Sequence, residues 1–294
     1  MRNRRTALAL VLAPALAFAL ATCSRTPAHR TFPTAEDAVR ALAGAVKAGN
    51  VNEVVAIFGP EGQALIDTSD PATAKRNRDI FATAVAERWR LENGPGGSRV
   101  LVIGNEDWPF PVPLVQDGSG WRFDTAAGKE EVLARRVGRN ELAAIFVCRT
   151  YVTAQRLYAA RPHDGQPAGR YAMKFKSDPG TQNGLYWPAS LGEKRSPLGD
   201  LVAKAAEEGQ PLGQAQGPTP FHGYYFRILP SEGGFGLVAW PAQYDTTGVM
   251  TFLVNQDGSV REKDLGPDSD RTVKAMTAYG PDATWTPAIA ARGE

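Results

Sequence analysis

Histidine, cysteine and methionine are scarce in this chain, at three, two and four among 294 residues. Two cysteines cannot build a disulfide scaffold, and if Cys23 is modified Cys148 has no partner within the chain. Cys148 ends the apolar stretch Ala143-Ala144-Ile145-Phe146-Val147-Cys148, where a buried, inert thiol is expected. His29, His163 and His222 are scattered, so no metal-ligating cluster is expected. There is no Gly-x-Ser-x-Gly, no phosphate-binding glycine loop and no His-Glu-x-x-His. These absences move the weight away from an enzyme, and neither cofactor nor metal is expected. A basic excess is missing too. The formal charge of +2 comes from 33 basic and 31 acidic residues, and removing Arg2, Arg4 and Arg5 leaves 30 basic residues, a net of −1. That balance excludes the basic footprint of a nucleic-acid binder and a polybasic grip on membranes.

What is present begins at the N-terminus. Arg2, Arg4 and Arg5 precede an apolar run from Ala7 to Ala21, and Leu20-Ala21-Thr22-Cys23 closes it before Ser24. A basic start, a short apolar middle and a small-residue end are the layout of a secretory signal. The run is short of the roughly 20 residues a spanning helix needs, and Pro14 weakens it further. Residues 1–22 are therefore expected to be a bacterial signal peptide and 23–31 a linker. The ending resembles a lipobox, in which Cys23 becomes the lipid-modified N-terminus. Thr22 departs from the usual small residue there, which keeps open simple cleavage after Ala19 or Ala21. The expected location is the periplasm, either soluble or held at the membrane through Cys23.

With 43% hydrophobic residues the mature chain can bury two modest cores. Thr34 and Asp37 form a capping-box-like start to a helix carrying Ala38, Leu42, Ala45 and Val46, which ends at Gly49-Asn50. A second helix covers Val51 to Phe58. A third is expected from Thr73 to Leu91, with Ile80, Phe81, Val85 and Trp89 as its buried stripe. After Asn93 to Gly97 the period changes to two: strands are expected at Arg99 to Gly104, Val112 to Gln116 and Gly120 to Asp124. This α+β pattern over 32–125 is similar to the curled sheet of nuclear transport factor 2-like (NTF2-like) domains, a fold analogy only. From Ala126 to Ala160 the spacing predicts one long helix, with Gly138 a possible break and apolar residues on more than one face. Turn chemistry follows, with a short helix at Leu201 to Glu208. Four antiparallel strands are then expected: Tyr224 to Leu229, Phe235 to Trp240, Gly248 to Asn255 and Ser259 to Lys263. Residues 126–294 thus read as a long helix feeding a C-terminal antiparallel sheet, a pattern similar to type IV pilins and pseudopilins.

Several blocks carry a family resemblance. They include Trp108-Pro109-Phe110-Pro111-Val112-Pro113-Leu114, Trp121-Arg122-Phe123-Asp124, Arg135-Arg136-Val137-Gly138-Arg139-Asn140-Glu141-Leu142, Gly184-Leu185-Tyr186-Trp187-Pro188, His222-Gly223-Tyr224-Tyr225-Phe226-Arg227 and Gly248-Val249-Met250-Thr251-Phe252-Leu253. In this order, from about Phe32 to Trp285, the chain resembles the DUF2950 family of exported bacterial proteins of unknown function. The resemblance implies a longer glycine-rich connection after the Tyr-Phe-Arg-Ile strand than the Pro230-Ser231-Glu232-Gly233-Gly234 found here.

Three places could carry chemistry. Glu130, Glu131, Arg135, Arg136, Arg139, Asn140 and Glu141 crowd one stretch of the long helix, where paired carboxylates could serve as acid and base in glycoside cleavage. Each acid has an arginine within about one turn, which suits an ion-pair network better than proton donation. Trp108, Phe110 and Trp121 could line a ligand pocket or pack a sheet edge, and with Glu130 and Arg135 they form the candidate pocket. Asp264, Asp268 and Asp270 invite a calcium reading, but the Asp-x-Asp-x-Asp-Gly loop is absent and a solvated turn is the better account. The leading expectation is a non-enzymatic cell-envelope protein that binds an envelope partner or assists an assembly. The alternative is a periplasmic small-molecule or glycan-binding protein, perhaps a hydrolase.

Overall fold

A computed structural model describes residues 29–59, 61–63, 71–118, 120–188, 195–207 and 219–288. The signal segment, Cys23 and the linker up to residue 28 lie outside the described residues. The described chain is α+β, with six α-helices and two antiparallel sheets, and divides into two compact units at Ala126 and Ala127. No helix among the described residues is long and apolar enough to cross a membrane.

The first unit opens with α1 (Ala35–Lys47). The Thr34 hydroxyl oxygen accepts the Asp37 N–H at 3.1 Å and donates to the Asp37 carboxylate at 2.8 Å, a reciprocal cap that satisfies an otherwise orphaned helix donor. Gly49, at φ +65°, reverses the chain, and Asn50 caps α2 (Val51–Phe58) through the Glu53 N–H. Next comes α3 (Pro71–Glu87). Here the structure corrects the expected helix to Leu91: Trp89–Asn93 is strand β1. Trp89 follows Val85 at helical spacing and precedes Leu91 at strand spacing, so both periods fit the same residues. Five cross-strand pairs with β2 (Arg99–Ile103), from Trp89 opposite Ile103 to Asn93 opposite Arg99, decide for the strand. Ile80, expected to be buried, is 57% exposed.

Strands β3 (Trp108–Pro109), β4 (Leu114–Asp117) and β5 (Gly120–Phe123) complete the first sheet, in the order β1-β2-β4-β5 with β3 also on β2. Phe32 brackets Trp121 with two backbone bonds of 2.8 and 2.7 Å, tying the start of the unit to its last strand. Val39, Leu42, Ile57, Phe58, Leu101, Leu114 and Phe123 form the core between helices and sheet.

Most of the second unit is built on α4 (Thr125–Ala159), which runs for 35 residues and passes Gly138 without interruption. One face, with Ile145, Cys148, Tyr151, Val152 and Tyr158, is buried. Leu142, Phe146 and Leu157 are more than half exposed, so the second apolar face expected of this helix is not closed among the described residues. After α5 (Gly199–Glu207) come β6 (Tyr224–Ser231), β7 (Gly234–Pro241), β8 (Met250–Asn255), β9 (Arg261–Asp264), α6 (Ser269–Ala275) and β10 (Thr286–Pro287). The strands form one antiparallel sheet in the order β10-β9-β8-β7-β6. Strand β7 is covered on both sides: Phe235, Leu237 and Ala239 join the core containing the long helix, while Val238 and Trp240 join a second cluster with Val273 and Trp285. A strand buried on both faces reads as a continuous apolar run, which Phe235 to Trp240 is. Ser231 pairs with Gly234, so β6 and β7 are joined by Glu232 and Gly233 alone, with Gly233 at φ +66°.

Candidate functional site

The aromatic segment singled out in the first unit is largely packed. Phe110 lies between Phe81, at 5.2 Å between ring centroids, and Phe58 and Phe123, both at 6.3 Å. Trp108 meets Phe110 edge-on at 6.1 Å and keeps 44% of its surface exposed. Trp121 is half-buried on β5 against the same core. Glu130 and Arg135 belong to the second unit, where Glu130 is exposed and Arg135 donates to Glu131 at 2.7 Å. Tyr186 and Trp187 also pack in the second unit.

The end of the charged stretch on α4 is structural. Glu141 Oε1 accepts the N–H groups of Val249 and Met250 at 2.9 and 3.0 Å, and Asn140 donates to the Thr247 carbonyl at 2.9 Å. Together they anchor the turn that leads into β8. Tyr224 adds a third fastening, donating to the Met250 carbonyl at 2.9 Å. The approach is close enough that a Cβ on Gly248 would lie 2.1 Å from the Tyr224 hydroxyl, so only glycine fits. Burial pushes the Tyr224 hydroxyl up, and the Glu141 carboxylate adds to the effect. Cys148, on the same helix, is fully buried, and desolvation pushes its thiol up to about 12, far from a reactive thiolate.

The acidic residues near the C-terminus are also occupied. Asp264 accepts the Gly266 N–H at 2.7 Å, Asp268 pairs with Arg271 at 2.6 Å and Asp270 pairs with Lys274 at 2.7 Å. Among the described residues no group of histidines, cysteines and carboxylates is disposed to hold a metal ion.

An open concavity of the second unit lies where α4 ends among the described residues. It encloses about 290 Å³ and is lined by Tyr158, Arg161, His163, Gln166, Arg170 and Tyr171, among others. Local sequence explains its shape. His163-Asp164-Gly165-Gln166 closes a two-residue turn with φ +48° and +77° at Asp164 and Gly165, and with His163 and Gln166 exchanging backbone bonds of 3.1 and 2.8 Å. The turn folds the His163 ring back onto Tyr158, stacked at 4.0 Å and 13°. His163 Nε2 donates to the Tyr158 carbonyl at 3.0 Å, and the Gln182 side-chain amide stands 3.2 Å from Nδ1. Tyr158 in turn donates to the Gln182 carbonyl at 2.8 Å, and its hydroxyl is pushed up by burial and then by Asp164. Beyond the turn, Gly169 N–H reaches the Ala159 carbonyl at 2.7 Å. Ala172 is held at both backbone atoms by Gln155, at 2.9 and 2.7 Å. These bonds fix the backbone on either side of Arg170.

The sequence gives Tyr158 only as part of the long helix and His163 only as one of three scattered histidines. Arg161, Gln166, Arg170 and Tyr171 were not foreseen. The signal that could have found them is Asp164-Gly165, a hairpin dipeptide that brings the chain back on itself directly after the helix.

A helix-rich first unit and a second unit of one long helix on a doubly covered sheet, with no metal cluster among the described residues, define a two-unit α+β protein. A family model described as "Protein of unknown function (DUF2950)" matches residues 29–233 and 231–288, and the chain belongs to that family. No curated protein and no solved structure matches it. The two matched segments meet at residues 231–233, the tight β6–β7 turn, where a long connection would have to be accommodated.

Proposed function

We propose that this chain is an exported bacterial envelope protein that acts by binding another envelope component rather than by breaking bonds. The export half rests on the basic, apolar and small-residue layout of residues 1–22, with Cys23 as a lipid anchor. The binding half rests chiefly on the use of Glu141: this carboxylate of the charged stretch is committed to two backbone donors instead of being held ready as acid or base. His163 and Cys148 support the same reading, one held by a carbonyl and a stacked tyrosine, the other buried. The likeness of the first unit to NTF2-like domains and of the second to pilins belongs to this proposal and fits a role in assembly.

Mass spectrometry of the mature N-terminus tests the export half: lipid on Cys23 is expected, and an intact Met1 on protein recovered from the cytoplasm would overturn it. Cys23→Ala should move the protein from the membrane to the soluble envelope fraction. For the binding half, pull-down from cross-linked envelopes should return the same partner repeatedly, and consistent recovery of none counts against it.

One observation favours the second reading, a glycan-binding or small-molecule-binding protein. Trp108 is exposed on top of a packed phenylalanine, the arrangement of a stacking platform for sugars. Trp108→Ala should then abolish retention on an immobilised cell-wall glycan while leaving stability unchanged.

A further inference from the structure

We propose that the cleft at the end of α4 is a binding site for a small anion bearing a carboxylate or phosphate group, held between Arg161 and Arg170. Neither guanidinium makes a hydrogen bond or salt bridge to any described residue, and both residues are exposed at the mouth of the cleft. Arginine presents a planar fork of donors matched to carboxylate and phosphate oxygens. Two such forks on one concavity favour an oxyanion over a neutral ligand.

Arginines beyond a helix C-terminus have an ordinary explanation, since they offset the negative end of the helix dipole. Here the Tyr158 and Ala159 carbonyls are bonded by groups other than the two guanidiniums. The Arg161 N–H and His163 Nε2 bond to the Tyr158 carbonyl, and the Gly169 N–H bonds to that of Ala159. The acid of the same turn is also turned aside: Asp164 Oδ2 accepts the Gln182 N–H at 2.7 Å. The guanidiniums thus carry no bond to these helix-end carbonyls or to Asp164, although the Asp164 charge is still felt at Tyr158.

Preorganisation adds to the argument. Arg161 follows directly on the helix, and Arg170 lies between the Gly169–Ala159 and Ala172–Gln155 bonds, so little backbone freedom is lost on binding. The stacked Tyr158 and His163 and the half-buried Tyr171 give the cleft flat walls, and its 290 Å³ is at the lower end of the range for small organic ligands. A free metabolite and a lipid headgroup offer the same oxyanion chemistry. The site extends the binding reading above by naming a ligand class, but it does not depend on export.

The test is titration of the purified full chain with citrate, with inorganic phosphate and with phosphatidylglycerol vesicles against phosphatidylcholine vesicles, read by calorimetry and tryptophan fluorescence. Saturable binding to at least one anionic probe is expected, weakened by added salt. Arg161→Ala and Arg170→Ala should each lower affinity roughly tenfold or more, with melting temperatures unchanged. Arg161→Lys should recover part of the loss. Arg271→Ala, which removes an exposed arginine paired with Asp268, should bind like the parent. Preference for vesicles over citrate and phosphate assigns the site to a lipid headgroup, and the reverse assigns it to a free anion. Absence of saturable binding to every probe, or equal affinity in the two alanine variants and the parent, overturns the proposal. Because the measurement uses purified protein, its failure would leave the fractionation result standing, and a cytoplasmic location would leave the titration readable.

Discussion

The two cores of this protein are made of different material. The first is built mainly of apolar side chains, Val39, Leu42, Ile57, Phe58, Leu101, Leu114 and Phe123 with their neighbours, with the buried Thr125 hydroxyl donating to the Phe58 carbonyl at its edge. The second has polar atoms inside it, with Cys148, Tyr151, Gln155 and Tyr224 all at 0 or 1% exposure. Three of these polar side chains hold a partner in place. Tyr151 donates to the Gly236 carbonyl of β7 at 3.2 Å, Gln155 donates to the Tyr151 hydroxyl at 2.9 Å and grips Ala172, and Tyr224 reaches Met250. A purely apolar helix face against a long sheet can shift by a turn and still bury similar area, whereas a buried hydrogen bond has one register. The comparison locates specificity. The first core is positioned mainly by caps and turns at its edges, and the second mainly by bonds in its interior.

The largest test of this difference uses alkali. An unfolded cysteine loses its proton near pH 9, while the Cys148 thiol holds it to about 12 because burial disfavours the thiolate. Between these values the unfolded chain binds fewer protons than the folded one. Stability of the second unit should therefore fall as pH rises through that window, by about 4 kcal/mol in all at roughly 1.4 kcal/mol per unit. Burial pushes Tyr151 and Tyr224 in the same direction, which extends the loss to higher pH. Limited proteolysis across the pH range should open the second unit before the first, and Cys148→Ala should flatten the slope. Simultaneous opening of both would break the comparison.

Next in size is Gln155→Leu, which leaves both backbone groups of Ala172 buried without partners and should cost about 3 kcal/mol by denaturant unfolding. In the mainly apolar first core Leu42→Met should cost less than about 1.5 kcal/mol. If both substitutions cost the same, the polar atoms carry no special weight. Glu141→Ala strands the Val249 and Met250 donors and should cost about 2 kcal/mol, with Glu141→Gln recovering part through its remaining oxygen. Smallest is Thr34→Ala at the edge of the first unit, expected at about 1 kcal/mol from the lost cap, with fraying of α1 visible in hydrogen exchange.

The caps and turns were legible because they are local. Thr34 with Asp37 and Gly49-Asn50 each specify a backbone conformation from a few adjacent residues. Strand β1 was not legible, since Trp89 and Leu91 satisfy helical and extended spacing alike and only pairing with Val100 to Ile103 resolves them. Of the candidate pocket, Trp108 and Phe110 do meet, which their adjacency on the chain allowed. The cleft at the end of α4 was hidden for the opposite reason: it is assembled from loop residues whose only common signal is a turn at Asp164-Gly165. Gln155 was equally silent. A glutamine amid helical residues carries no mark of being buried until Ala172 is brought against it by the returning chain.

The β6–β7 connection has a further consequence. Two residues close this hairpin, with Ser231 opposite Gly234 and eight paired positions behind them. The longer connection expected in relatives is therefore an ornament carried by the hairpin, not a brace for the sheet. Lengthening such a loop costs only about 0.6 kcal/mol per doubling. This turn is thus a natural graft point: a peptide epitope or a fluorescent reporter spliced between Glu232 and Gly233 should be displayed without disturbing either face of β7.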